Sequence, residues 1–364
     1  MAGLSCGIVG LPNVGKSTLF NALTSNQAEA SNYPFCTIDP NIGIVDVYDP
    51  RLSILSAISS SSKIIYANIK FVDIAGLVAG ASKGEGLGNQ FLINIRETDA
   101  ILHVVRCFDS EDIIHVSGTV DPIRDIEIIN LELNLSDLQM VENAISRVEK
   151  QVKSKKELGP VLECLIKAQK HLDQGKPIRT LDLNEEERLC LTPYPFLTAK
   201  KVLYAANISE VDLAAMDNKY VQIVRKYAEA EGNSVIPICA KLEEEIAQLS
   251  EGERGEFLES LGLKESGLQR LIKSSFQMLG LITFLTTGEM ETRAWTITNH
   301  TTAAEAAGKI HTDIQRGFIR AEVVAYEDMK AFRGRNGARE MGKVRFEGRD
   351  YIVKDGDVIL FMHH

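Results

Sequence analysis

Gly10-Leu11-Pro12-Asn13-Val14-Gly15-Lys16-Ser17-Thr18 follows the apolar run Leu4–Val9 and opens a helical pattern that continues to Leu23. The spacing is G-x-x-x-x-G-K-[ST], and it stands between a strand and a helix, the setting in which that pattern carries chemistry. Glycines let successive backbone N–H groups turn inward around an anion, and the helix N-terminus adds its positive end. Lys16 is then placed to reach β- and γ-phosphates, and the Ser17 hydroxyl to take one position on Mg2+. Asn13, Val14, Gly15 and Thr18 complete the expected cradle.

Working outward, Asp73-Ile74-Ala75-Gly76 closes a second apolar strand, Ile69–Ile74. In a D-x-x-G of this kind the Asp holds Mg2+ through water and the Gly76 N–H meets a γ-phosphate. Between the two motifs lies the proline-bounded loop Asn32–Pro40, whose Thr37 can complete the magnesium shell. Further strands are read at Ile42–Val47, Ala100–Phe108, Val202–Ala206 and Val235–Cys239, with helical stretches between them. The implied fold class is α/β: a mostly parallel P-loop NTPase sheet with helices on both faces.

The pattern changes twice. Leu131, Leu135, Leu138, Val141, Ile145, Val148 and Val152 recur at helical spacing; Gly159-Pro160 interrupts, and Leu162, Leu165, Ala168 and Leu172 resume. This reads as an inserted helical hairpin with a coiled-coil-like seam, its tip carrying Lys150, Lys153, Lys155 and Lys156. After residue 280, short strands at Ala294–Thr298, Phe318–Val324, Lys343–Phe346 and Val358–Met362 surround one helix, Ala303–Gln315, giving a small α+β module. The expected domains are 1–120 with 195–280 for the nucleotide, 121–194 for the insert and 281–364 for the module.

Composition excludes other classes. With 364 residues, 45% hydrophobic and 25% charged, the chain has an ordinary globular balance and room for two or three domains. No apolar run approaches the roughly 18 residues of a membrane span, and Met1–Gly10 shows neither basic leader nor signal block, so no membrane partner and a cytoplasmic location are expected. Six scattered cysteines with no C-x-x-C pair suggest free thiols, not a disulfide framework or zinc site. The formal charge of −10 belongs to residues 1–280, because the C-terminal segment balances. RNA contact is therefore expected only at local basic edges, Lys150–Lys156 and Lys330–Arg349.

The P-loop with Asn13, the Tyr33-Pro34-Phe35-Cys36-Thr37 loop, Asp73–Leu77 and the following Gly80–Phe91 stretch together resemble the Obg-like translation-factor NTPases. The likeness is strongest to the YchF (Obg-like ATPase) branch, and it runs over essentially the whole chain. It implies a coiled-coil insert, a C-terminal β-grasp domain of the TGS type, and the ribosome or a ribosomal subunit as partner.

The base is read from the loop after the late strand. GTPases of this class place N-K-x-D there, the Asp accepting from two guanine donors. Asn218-Lys219-Tyr220-Val221 ends in Val and follows no strand; the right context holds Asn207-Ile208-Ser209-Glu210. If Glu210 does not reach, two guanine donors each lose about 1–3 kcal/mol. Adenine offers an acceptor and a donor that the Asn207 amide can meet with two bonds, so ATP is expected over GTP. The resemblance implies the same, with the Ile208 backbone in adenine recognition and Cys239-Ala240-Lys241 where Ser-Ala-Lys closes the pocket in relatives, which brings Ala240 to the nucleotide.

Leu77 stands where a water-orienting Gln is common, so unassisted hydrolysis should be slow. His115 is a candidate for positioning water: the resemblance implies a catalytic role, while the residues alone leave open a loop histidine with none. His103, inside an apolar strand, reads as a core histidine. In relatives lacking the Gln, the residue matching Asn13 helps hold K+, which neutralises charge between the β- and γ-phosphates; Asn13 could equally stabilise the loop. Gly76, Gly80, Gly84, Gly86 and Gly88 crowd one segment, which is expected to be mobile. The expected function is a slow Mg2+-dependent ATPase switch yielding ADP and phosphate. An ATP-sensing RNA- or ribosome-binding regulator and a conventional GTPase are the competing readings.

Overall fold

The computed structural model describes residues 4–25, 41–75, 87–110 and 118–364. In chain order its elements are β1 (Ser5–Val9), α1 (Lys16–Thr24), β2 (Ile42–Val47), α2 (Pro50–Ser59), β3 (Ile64–Ile65), β4 (Ala67–Asp73), α3 (Leu87–Arg96) and β5 (Ala100–Arg106). Then come α4 (Pro122–Val152), α5 (Gly159–Asp173), α6 (Glu185–Leu191), β6 (Val202–Asn207), α7 (Lys219–Ala230), β7 (Ser234–Ile238), α8 (Ala240–Ala247), α9 (Glu251–Ser260) and α10 (Gly267–Met278). The chain ends with β8 (Leu281–Thr287), β9 (Thr292–Thr298), α11 (Ala303–Ile310), α12 (Thr312–Arg316), β10 (Phe318–Ala325), α13 (Tyr326–Ala331), α14 (Arg335–Glu340), β11 (Arg345–Glu347) and β12 (Asp357–His363).

Two compact units divide the chain. The first takes in described residues up to 43 and from 70 to 271; the second takes in 44–69 and 272–364. In the first, β1, β5, β6 and β7 lie in that order, with the end of β4 (residues 70–73) on the other side of β1; β1 is parallel to β4 and β5, and β5, β6 and β7 are parallel in turn. β1, β5 and β6 are buried along their whole length, which is why their sequences are continuous apolar runs without alternation. The strand order reverses at β1, so its C-terminal end is where a doubly wound sheet receives a ligand.

The helical insert belongs to this unit. α4 runs for 31 residues, started by Asp121, whose side chain accepts from Arg124 N–H, and by Pro122 in the first turn. Its buried stripe is Ile126, Ile129, Leu133, Asp137, Val141, Ala144 and Val148, and Leu131 and Leu135, expected in the seam, are exposed. The apolar period of α4 is broken because the fourth position of this stripe is a carboxylate. Asp137 accepts from Leu197 N–H and Thr198 N–H at 2.8 Å each and from the Thr198 hydroxyl at 2.7 Å, tying α4 to the segment that returns to β6. Beyond it, Val141–Val148 packs with Cys164, Leu165, Ala168 and Leu172 of α5. Gly159-Pro160 does not interrupt a helix. Proline is tolerated in a first helical turn, so the pair opens α5 and the break lies at 153–158.

The second unit is the C-terminal β-grasp module, with sheet order β11-β10-β12-β8-β9-β3. β8 and β9 form an antiparallel pair, β12 lies parallel to β8, and β10 is antiparallel to both β12 and β11. α11 fills the concave side, with Ala303, Ala306 and Ala307 against Phe284, Val323 and Ile359. The single helix expected over Ala303–Gln315 is two, because His311 is extended and its Nδ1 accepts from Asp313 N–H at 3.2 Å, capping α12. Residues 44–69, which sequence reading places with the nucleotide domain, are part of this unit. β3 pairs with β9, and Arg51 of α2 holds Asp49 and reaches Asp355 at 2.9 Å. Gly356, at φ 80°, leaves room for that arginine, whose Nη1 would lie 2.6 Å from a Cβ there.

Two outcomes test these assignments. Asp137→Ala strands two buried N–H groups and should lower unfolding free energy by roughly 3 kcal/mol in a urea titration. Asp46, on β2, has a buried Oδ1 with no partner among the described residues, and burial raises its carboxyl from 3.8 to about 6. A raised carboxyl means the folded state binds more protons, so its ionisation costs stability above pH 6 and the cost fades as pH falls through 6 toward 3.8. Asp46→Asn should therefore raise Tm at neutral pH, and the gain should vanish in melts below pH 3.8.

Candidate functional site

The chain leaves β1 at Val9 and reaches α1 through a loop that only particular residues can make. Gly15 caps α1 in the left-handed region at φ 95°, and Asn13 is also left-handed, at φ 65°, a region open to glycine and tolerated by asparagine. A Cβ at Gly10 would lie 2.8 Å from Val14 Cγ2 and 3.0 Å from the Val104 carbonyl; one at Gly15 would collide with Asn207 Nδ2. The resulting cavity, about 430 Å3, is lined by Gly10–Asn13 and Gly15–Thr18. α1 has no acidic residue in its first turn, so nothing competes with an anion for its N-terminal dipole.

Lys16 Nζ forms an ion pair with Asp73 Oδ1, both side chains being mostly buried. Asp73 is brought there by β4, whose last residue donates its N–H to the Asn41 carbonyl at 2.8 Å. The expected cation and the expected magnesium carboxylate thus meet, with Ser17 beside them on α1. Thr37, Gly76, Leu77 and His115 lie outside the described residues, as do the crowded glycines except Gly88, which falls in the first turn of α3.

On the other flank, β6 delivers Asn207, 5% exposed. Its Nδ2 donates to the Val14 carbonyl at 2.9 Å and its Oδ1 accepts from Ala240 N–H at 3.0 Å. This corrects the expectation that the Asn207 amide meets adenine with two bonds: the amide is committed to backbone on both sides, and works as a strut between P-loop and the start of α8. Ile208 is buried, its N–H donated to the Ile238 carbonyl at 2.9 Å. Glu210 turns outward and pairs with Lys241 at 2.9 Å. The rejected Asn218-Lys219 is a helix cap, Asn218 Oδ1 accepting from Tyr220 N–H and Val221 N–H.

Two features escaped sequence reading. Arg106, 1% exposed at the end of β5 and in register with Asn207, donates Nε to the Phe108 carbonyl at 3.2 Å and lies 4.7 Å from that ring. A lone Arg in an apolar strand gives no sign of burial. The second is the thinning of the C-terminal basic edge. Arg335 donates to the Glu322 and Val358 carbonyls, Arg339 pairs with Glu322 at 2.9 Å and Arg345 pairs with Glu347 and Asp357. Lys330, Arg333, Lys343 and Arg349 remain exposed, as do Lys150, Lys153, Lys155 and Lys156. His103 is buried beside Tyr204, and burial with the Arg179 charge lowers its imidazole to about 3, so it stays neutral.

A phosphate cradle at the sheet's switch point, a carboxylate on the neighbouring strand and an asparagine bracing the loop define a P-loop NTPase. The chain belongs to the YchF family of these proteins. Relatives called "Ribosome-binding ATPase YchF" from Haemophilus influenzae and Escherichia coli O157:H7 are each 53% identical over 99% of both chains, and that of Bacillus subtilis is 54% identical over 98% of both. The structure of the Schizosaccharomyces pombe YchF GTPase matches with TM-score 0.88 at 37% identity, covering 100% of this chain and 99% of that one. A GTP binding protein from Pyrococcus horikoshii OT3 shares the fold, with TM-score 0.62 at 19% identity over 99% of this chain and 100% of that one. Residues 5–151 match the family model described as "50S ribosome-binding GTPase", and residues 281–364 match the C-terminal YchF model described as "Protein of unknown function (DUF933)". No described helix is long and apolar enough to cross a membrane.

The strut assignment has a distinct signature. Asn207→Ala should weaken ATP and GTP binding alike, at least tenfold in titrations with fluorescent analogues, and lower stability by about 2 kcal/mol. Loss of ATP binding with GTP binding intact would instead make it a base reader.

Proposed function

We propose that the chain is a Mg2+-dependent ATPase that hydrolyses ATP in preference to GTP, slowly, as a nucleotide switch acting on the ribosome. The observation that carries the base preference is the outward Glu210. At the position where guanine needs a carboxylate facing its two donors, this carboxylate leans on Lys241. The pair is exposed and screened by solvent, so it contributes little. The larger obstacle is the guanine donors left without a partner, at about 1–3 kcal/mol each. Adenine has no such need, and the buried Ile208 backbone, with Ala240 beyond it, forms the wall it meets. The ribosome as partner rests on the names of the relatives that match over nearly the full chain.

In this reading the backbone N–H groups of Asn13–Thr18 grip the phosphates, and Lys16 exchanges Asp73 for the β- and γ-phosphate oxygens. Ser17 and Asp73, with Thr37, would hold Mg2+, which shields phosphate charge. The donor set fits, since one hydroxyl and one carboxylate beside a phosphate cradle is the sparse oxygen ligation Mg2+ takes with a nucleotide. No described cluster of three or more His, Cys, Asp or Glu side chains forms an all-protein cage. Gly76 offers its N–H to the γ-phosphate and His115 positions water where Leu77 cannot. Asn13, exposed at the cradle rim, takes K+ as a second cation. RNA contact is assigned to Lys150–Lys156 and to the exposed part of Lys330–Arg349. With Leu77 at the usual Gln position, a signal set by ATP occupancy alone is the second reading.

Titrations with fluorescent ATP and GTP analogues, run with K+ and again with Na+, test this. ATP should bind tenfold to several-hundredfold tighter, and the paired change Ile208→Lys with Glu210→Asp should reverse the order. Tighter GTP binding by the unchanged chain sinks the base assignment, and indifference of turnover to K+ removes Asn13 as its ligand.

A further inference from the structure

The helical insert carries a thiol pair that nothing in the nucleotide chemistry uses. Cys164 lies on α5 and Cys190 on α6, and Cys190 packs against the core cluster that holds Cys164. One turn away on the same two helices, Lys167 Nζ meets Glu187 Oε1 at 2.8 Å. The steps mirror each other: three residues forward from Cys164 reach Lys167, and three back from Cys190 reach Glu187. The Lys167–Glu187 bridge holds α5 and α6 side by side, and the core they share brings the two cysteines next to each other. Cys164 is 6% exposed within the insert core, and Cys190 packs against that core from the half-exposed side.

We propose that Cys164 and Cys190 form a reversible dithiol–disulfide site, oxidised by a hydroperoxide, that cross-links α5 to α6. The half-exposed Cys190 meets the oxidant first. Its sulfur bonds to one peroxide oxygen as the O–O bond breaks, giving a sulfenic acid and one water from hydrogen peroxide. Cys164 sulfur then attacks Cys190 sulfur; the S–S bond forms, the S–O bond breaks, and the second water leaves with the Cys164 proton. Two thiols lose two electrons and the peroxide gains them. Burial pushes the Cys164 thiol up, with Cys190 and Glu187 adding to the effect and Lys167 opposing it, so Cys164 suits the second, resolving step. Cys6, Cys107 and Cys239 are buried thiols whose ionisation is likewise suppressed by burial. α6 is only seven residues long, and a covalent tie to α5 fixes the strap that leads from the insert back toward β6.

The full chain, reduced and then exposed to hydrogen peroxide, is alkylated, digested without reductant and read by mass spectrometry. A peptide pair joined at Cys164 and Cys190, released by dithiothreitol, is expected. The oxidised chain should also melt at higher temperature than the reduced one, since the cross-link restricts the unfolded chain. Cys164→Ser should leave a dimedone-reactive sulfenic acid on Cys190 with no joined peptide, and Cys190→Ser should abolish both the joined peptide and the peroxide-dependent rise in Tm. Separate alkylation of both cysteines in the peroxide-treated wild-type chain, or Cys190 joined only to a second copy, overturns the proposal.

Discussion

The left-handed turn at Gly15, with the Asn207 amide packed against it, is the constraint on which the site is built. A phosphate cradle needs consecutive N–H groups pointing inward, and the chain can present them only if Gly15 takes a conformation that side-chain-bearing residues resist. That turn leaves the Val14 carbonyl facing β6, where Asn207 accepts the task of satisfying it. The same amide then receives Ala240 N–H. Two segments, one after β1 and one after β7, are thereby held by one buried side chain at the end of β6. Asn207 is fixed in place by the backbone on either side, since its own carbonyl accepts from Cys107 N–H at 2.8 Å. Removing a buried amide with two backbone partners is expensive because both partners are left dry.

The bracing role accounts for an asparagine at residue 207 whatever the residues after it do. Reading a base and bracing the P-loop are different jobs. The second is carried by the Asn207 amide, whatever stands at 208 and 210. Sequence logic that treats the four residues as one reading head credits Asn207 with contacts it does not have free to make.

The nucleotide unit was legible where chemistry restricts residue choice. The P-loop, the strand ending in Asp73 and the parallel core strands all announce themselves, since a strand buried on both faces is mostly apolar and a cradle must carry its glycines. Legibility failed where polar residues occupy core positions. Asp137 broke the apolar period of α4 and shifted the perceived seam onto Leu131 and Leu135, which face solvent. Arg106 is likewise a charged residue buried in an apolar strand. The allocation of residues 44–69 failed differently. Their strand and helix patterns are local, but membership of the second unit is decided by partners more than 200 residues away, as in Arg51 with Asp355.

Charge shows the same limit from the opposite side. The C-terminal stretch 330–349 holds seven Lys and Arg in sequence, and a count of that kind suggests a surface made for phosphates. Glu322, nearly buried on β10, takes two of the arginines for itself, and Asp357 with Glu347 takes a third. A buried carboxylate must be paired, so those arginines complete the fold and cannot be fully available outside it. What remains is a smaller set, Lys330, Arg333, Lys343 and Arg349, spread over a helix, a turn and the approach to the last strand. In a chain of net charge −10, attraction to a polyanion has to come from how such residues cluster. Their number in the sequence is an upper bound that internal ion pairs then reduce.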